Sequence, residues 1–188
     1  MRLDVFTQIP HAFAWLTEHP PVANVLGTEL ELRLFNYRDT TPLRGGQVDD
    51  EPYGGGAGMV LRVDVVAAAL EAVYGDAPPA RVVALTPQGR QLDQRLVEEL
   101  AAEPEVTLLS SRFEGFDERI VDHLCTDAVS IGPYVLSCLR AATGPGDAPV
   151  PGSCGSRLMT ASPYWPEPPV WRTNLPWMRS AGLEIVSR

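Results

Sequence analysis

Three stretches set proline, glycine and polar side chains directly after short apolar runs: "TPQGRQLDQ" at 86–94, "SSRFEGFDER" at 110–119 and "SIGPYVLS" at 130–137. Each preceding run reads as a strand, and in open α/β sheets ligands bind outside the carboxyl ends of strands. Proline and glycine there uncover backbone N–H and C=O groups, which suits an adenine edge or a ribose. Glu114 adds a carboxylate for a ligand cation. Taken singly, each loop reads equally well as an ordinary αβ connection, because short motifs are weak signals. Three at neighbouring strand ends point to one shared ligand. A fourth stretch, "VDDEPYGGGAGM" at 48–59, has glycine at four of the five positions 54–58. It lacks the GK[ST] of a phosphate loop, and no GxGxxG follows a strand. It reads either as a disordered surface loop or as one ordered by substrate or a second subunit, with Asp50, Glu51 and Tyr53 as polar contacts.

The elements that must position these loops alternate in type. Strands are expected at 2–8, 28–36, 81–86, 105–111 and 128–131, and helices at 10–19, 63–75, 92–103 and 117–125. In the second strand Leu30, Leu32 and Leu34 alternate with charged residues, the period-2 pattern of one buried face. Pro10 opens the first helix; Asp64 and Gly75 are the expected cap and stop of the second. Strands alternating with helices imply a largely parallel sheet covered on both faces, an α/β fold. From Thr143 the texture changes: 144–156 reads as a flexible Gly/Pro linker, and the tail to Arg188 holds three of the four tryptophans. Trp165, Trp171 and Trp177 suit packing on a partner surface. The expected division is 1–143 as one domain, followed by linker and tail over 144–188.

Composition limits the function classes. The chain has 188 residues, a formal net charge of −9 and no lysine, so every fixed positive side chain is an arginine. Eleven of the 15 arginines and 21 of the 24 acids lie in residues 1–143. There is no basic stripe of the kind that holds a polyanion by general electrostatics. No window approaches the roughly 20 apolar residues of a membrane span, and the N-terminus reads as a strand with no signal peptide. Cys125, Cys138 and Cys154 form no paired set, so reduced thiols, a cytoplasmic location and no metal site are expected. His11, His19 and His123 lie outside all four loops and read as surface or packing residues.

The four quoted stretches closely resemble, in order and spacing, the successive motifs of the bacterial TrmD family. These are S-adenosylmethionine-dependent tRNA (guanine-N1)-methyltransferases of the SPOUT class. The resemblance runs from Met1 to about Ser137. It implies a homodimer and a deep trefoil knot, a topology otherwise almost absent from proteins. It implies S-adenosylmethionine among Pro87, Gln88 and Gly89 of the first loop, Ser111 and Glu114 of the second, and Ile131, Gly132, Tyr134 and Leu136 of the third. It places Asp50, Tyr53, Gly54, Gly55 and Gly56 at the guanine pocket, across the dimer interface. Guanine N1 carries a proton at neutral pH, so the reaction needs a base and a cation for charge growing on O6.

The sequence also departs from the family pattern. Pro133 stands for an aspartate in the third loop, and Cys138, Leu139 and Arg140 replace Gly-Gly-Glu. By the resemblance Ala161 occupies the position of the catalytic aspartate, and Arg157 reads either as an ordinary surface arginine or as a replacement for the family's catalytic arginine near the linker. Gly46 and Gln47 replace a basic pair, and the basic C-terminal tRNA-gripping domain is expected to be absent. Three readings stay open: methylation of guanine N1 in tRNA, methylation of a small heterocyclic molecule, and a degenerate member without catalysis. A change of reading frame near Ser137 would also account for the departures.

Overall fold

The structure is a computed structural model that describes residues 1–52, 58–77, 79–112 and 114–132. Among these, five strands form one sheet: β1 (Arg2–Thr7), β2 (Glu31–Asn36), β5 (Val82–Gln91), β6 (Glu105–Ser110) and β7 (Asp127–Ser130), in the order β2-β1-β6-β5-β7. Every pairing is parallel, with Phe6 opposite both Phe35 and Leu109 and Leu85 opposite Ser110. Two short strands, β3 (Asp49–Asp50) and β4 (Val60–Leu61), pair antiparallel in a separate ladder. The helices are α1 (Ala14–Glu18), α2 (Val22–Val25), α3 (Tyr37–Thr40), α4 (Val63–Tyr74), α5 (Gln94–Ala101) and α6 (Glu118–Leu124).

The central strands are near-continuous apolar runs because both faces of the sheet are covered. Alternation sends Phe6, Val82 and Leu109 to one face, where they meet Val66 and Leu70 of α4 and Ile120 and Leu124 of α6. Val83, Val106 and Val129 point to the other face, with Leu3, Leu85 and Leu108, against Leu96 and Leu100 of α5. Full burial of such a side chain contributes about 1.5–3 kcal/mol. Helix α5 starts where the Asp93 side chain accepts from the Leu96 amide, and α6 where Asp117 accepts from the Arg119 amide. Such caps satisfy amides that have no partner within the helix.

A buried ion network crosses the first face. Asp4 has no exposed surface and accepts from Arg33 Nε at 2.7 Å and Nη2 at 2.5 Å, and from the Tyr74 hydroxyl at 2.6 Å. Burial pushes its carboxyl up; the Arg33 and Tyr74 hydrogen bonds, with the charges of Arg33 and Arg2, more than offset this and leave it below its ordinary value.

Several expected elements differ. The helix at 10–19 is a 3-10 turn, Pro10–Phe13, followed by α1. Asp64 does not cap α4: the N-cap is Arg62, and Asp64 sits inside the first turn, accepting from the Val65 amide at 3.0 Å. Gly75 does stop the helix, at φ 59°. Leu30 lies outside β2, and Leu32 and Leu34 are half-buried because β2 is the sheet edge. The largest difference is β5, which does not end at Thr86 but continues to Gln91. The expected knot depends on the chain beyond Gly132, outside the described residues. No helix among the described residues is long and apolar enough to cross a membrane.

Candidate functional site

The second and third loops leave the carboxyl ends of β6 and β7, and the first interrupts β5, the strand between those two in the sheet. The first is an excursion within a strand. Leu85 and Arg90 both pair with Val129, so Thr86–Gly89 leaves the ladder and the chain returns to the same residue. Gln91 then pairs with Ser130, and the Leu92 amide donates to the Ser130 carbonyl at 2.7 Å. Pro87 and Gln88 are exposed on this excursion. Gly89 has a steric role: a Cβ there would stand 2.5 Å from the Ala128 carbonyl oxygen, and closer still to the Ala128 carbonyl carbon and Val129 nitrogen. Only a residue without a side chain lets the two backbones lie so close.

In the second loop Ser111 is half-buried and Glu114 exposed, and the Gly115 amide closes a turn onto the Arg112 carbonyl at 3.1 Å. Gly115 sits at φ 106°, where a side chain would be strained. In the third, Ser130 Oγ donates to the Gly132 carbonyl at 2.8 Å and fixes the bend at the end of β7. Gly132 is buried and Ile131 half exposed. Tyr134 and Leu136 lie outside the described residues, as do Arg157, Ala161 and the whole linker and tail.

Strands β3 and β4 frame the glycine-rich stretch; Tyr53, Gly54, Gly55 and Gly56 lie outside the described residues, while Asp50 and Gly58 mark its two feet. The returning foot is stitched to the second loop. The Glu114 amide donates to the Met59 carbonyl at 3.0 Å, the Leu61 amide to Gly115 at 3.0 Å, and the Asp117 amide to Leu61 at 3.1 Å. A Cβ on Gly58 would overlap the Glu114 side chain, 2.7 Å from its Oε1. Two loops that the sequence keeps more than 50 residues apart therefore share one backbone ladder.

Beneath this junction lies a recess lined by Asp50, Arg62, Asp64, Asp117 and Arg119, among others. Arg62 donates to Asp64 at 3.0 and 2.9 Å and to Asp50 at 2.5 Å; Arg119 donates to Asp117 at 2.8 and 2.5 Å. The Asp64 hydrogen bonds push the Arg62 pKa above its ordinary value against the opposing effect of burial, and Asp50 adds to the rise. The sequence reading missed Arg62 and Arg119. The signal was present as an acid two positions from each, "RVD" at 62–64 and "DER" at 117–119.

The strand-end residues fit S-adenosylmethionine, the group the resemblance implies. Leu92 and Ile131 are 36% and 51% exposed at adjoining strand ends, an apolar surface suited to an adenine ring. The exposed Glu114 carboxylate suits the cationic part.

Residues 1–143 match the family model described as tRNA (guanine-1)-methyltransferase TrmD. A tRNA (guanine-N(1)-)-methyltransferase of Brevibacillus brevis is 41% identical over 138 residues, which cover 73% of this chain and 56% of that protein. One from Exiguobacterium sibiricum is 44% identical over 140 residues with the same coverage. The chain thus spans about half the length of these curated relatives. One from Dehalococcoides mccartyi strain CBDB1 is 33% identical over 189 positions, covering 92% of this chain and 76% of that protein, so with this relative the likeness continues past Ser137. The crystal structure of a tRNA (m1G37) methyltransferase from Aquifex aeolicus superposes with a TM-score of 0.65 at 32% identity, over 73% of this chain and 62% of that one. With the parallel sheet, the neighbouring strand-end loops and the match over residues 1–143, the chain belongs to the tRNA (guanine-1)-methyltransferase TrmD family.

Proposed function

We propose that this chain carries the S-adenosylmethionine-binding half of a methyltransferase acting on N1 of a guanine in tRNA. The observation that carries the reading is the shared backbone ladder of Met59–Leu61 and Glu114–Asp117, which joins the acceptor hairpin to a cofactor loop. On this reading Pro87, Gln88, Gly89, Ser111, Glu114, Ile131, Gly132, Tyr134 and Leu136 hold the cofactor. Asp50, Tyr53 and the glycines 54–56 face the acceptor, across the interface of a homodimer. Residues 1–143 act as the S-adenosylmethionine-binding methyltransferase domain and 144–188 as linker and tail.

S-adenosylmethionine supplies, when bound, a methyl group activated on a sulfonium. The chain's own task is to hold a ring nitrogen in line with it, an effect of placement. It must also take the N1 proton and oppose charge growing on O6. Ala161 cannot take a proton, so the base is a different residue, and Arg157 is the candidate cation for O6.

Calorimetry with S-adenosylmethionine tests the cofactor, and labelled cofactor with undermodified tRNA tests the acceptor. Binding followed by label in tRNA is expected; no binding at millimolar cofactor overturns the enzymatic reading. The net charge of −9 without a single lysine favours, as second reading, an acceptor smaller than tRNA. Label in a small-molecule extract, with none in tRNA, selects it.

A further inference from the structure

Asp50 and Gly58 are the described ends of the hairpin that carries the glycine-rich stretch. The backbone holding them is short. Strands β3 and β4 pair over two residues each, Asp49 with Leu61 and Asp50 with Val60. Such a ladder is too short to be stable alone. The outgoing foot ends at Asp50, whose side chain is 48% exposed and pairs with Arg62 at 2.5 Å. Arg62, just past β4, ties that foot to α4 through Asp64.

Arg62 occupies a junction. Its amide donates to the Val48 carbonyl at 3.1 Å, just before β3, and its carbonyl accepts from Val66 in the first turn of α4. Its side chain is 18% exposed and forks: Nε and Nη2 hold Asp64, and Nη1 holds Asp50. Asp64 belongs to α4, which is buried on the sheet along most of its length. The guanidinium therefore ties the outgoing foot of the hairpin to a rigid helix. A guanidinium can grip two carboxylates in one plane, whereas an ammonium is a single point charge. Asp117 and Arg119 line the same recess from the second loop, so the tie lies where acceptor hairpin and cofactor loop meet.

We propose that Arg62 is a positioning residue for the methyl acceptor: it fixes the Asp50 carboxylate without touching cofactor. The inference rests on the reading of Asp50 as an acceptor-side residue. Because the clamp acts on Asp50, its loss should fall on acceptor KM and leave cofactor affinity intact.

The test is a double-mutant cycle on the full chain, reading acceptor KM and kcat with undermodified tRNA and the cofactor Kd by calorimetry. Arg62→Met is expected to raise acceptor KM about tenfold, a factor equivalent to about 1.4 kcal/mol, with cofactor Kd within about twofold. Asp50→Asn should do the same, and the double variant should be no worse than about twofold beyond either single one. Arg62→Lys, which keeps the charge without the fork, should fall between wild type and Arg62→Met, and it serves if the methionine variant folds poorly. Multiplicative effects of the two substitutions, an unchanged KM in Arg62→Met, or a matching loss of cofactor affinity overturns the proposal while leaving the methyltransferase reading intact. A wild-type protein that binds cofactor but transfers no methyl group to tRNA overturns that reading, and the role of Arg62 with it.

Discussion

Replacing Gly89 by alanine separates a contact role from a packing role in the first loop. Gly89 has no positive φ, so the added methyl group introduces no backbone strain of its own. Its whole effect is overlap with the Ala128 carbonyl and the Val129 nitrogen. These are backbone atoms of a strand paired to β5, so they cannot rotate away as a side chain would. An ordinary contact at that Cβ needs about 3.4 Å, so the backbones must part by roughly 1 Å, at the upper end of the ~1–3 kcal/mol that overpacking costs. The alternative is release of the second half of β5. That gives up the pairing of Arg90 and Gln91 with β7 and the Leu92–Ser130 hydrogen bond. At about 1 kcal/mol net for each of two or three bonds, this route costs about 2–3 kcal/mol. Both routes agree on about 3 kcal/mol, a change of roughly 100-fold in local opening. Hydrogen exchange at the Leu92 amide reads that opening directly, and the urea midpoint reads its global part. Gln88→Ala, one residue away and exposed, should leave both unchanged and, on the proposed function, weaken only cofactor binding. A Gly89→Ala protein with a wild-type midpoint and a protected Leu92 amide would refute the packing argument.

Two more outcomes follow from buried groups. Asp4→Asn is expected to cost about 2–3 kcal/mol, below the ~3–5 kcal/mol of a broken fully buried pair because Arg33 reaches solvent. The Asp4 carboxyl lies below its ordinary value in the folded chain. Its contribution is therefore complete above the unfolded value near about 4 and is lost as pH falls through the folded one. Urea midpoints from about pH 6 to 3 should converge for wild type and Asp4→Asn; parallel curves would contradict the ion pair. Burial, with Asp127 adding to it, pushes the Cys125 thiol up to about 12. In a chain carrying Cys138→Ser and Cys154→Ser, a thiol reagent at about pH 8 should react with Cys125 only on unfolding. Rapid labelling of the native protein would show that the thiol is open to solvent.

The sheet was legible because its strands are separated by helices of recognisable period and each apolar run is short. Val82–Leu85 and Val106–Leu109 reveal themselves as strands by composition alone. The excursion of β5 was not legible, since Pro87 and Gly89 are the residues that usually end a strand. Here β7 receives the chain again after it has passed them. The four loops were recognised from their residues, but not how they meet. Asp4 and Tyr74 are 70 positions apart, and Arg62 and Asp50 are 12 apart across the glycine-rich stretch. No local period reports such pairs. Asp64 shows the same limit: next to an apolar helix it reads as a cap, and only the third dimension reveals that it holds an arginine instead.

The excursion of β5 also constrains how the chain can fold. Both ends of Thr86–Gly89 rest on Val129, which is made more than 35 residues later. During synthesis the first loop therefore has its residues but no frame, and β6 and α6 are made before β7 can supply one. Closing so long a loop is an entropic cost met before any local reward. The first and third loops should accordingly acquire their shape in one late event, so that no folding intermediate holds one of them finished without the other.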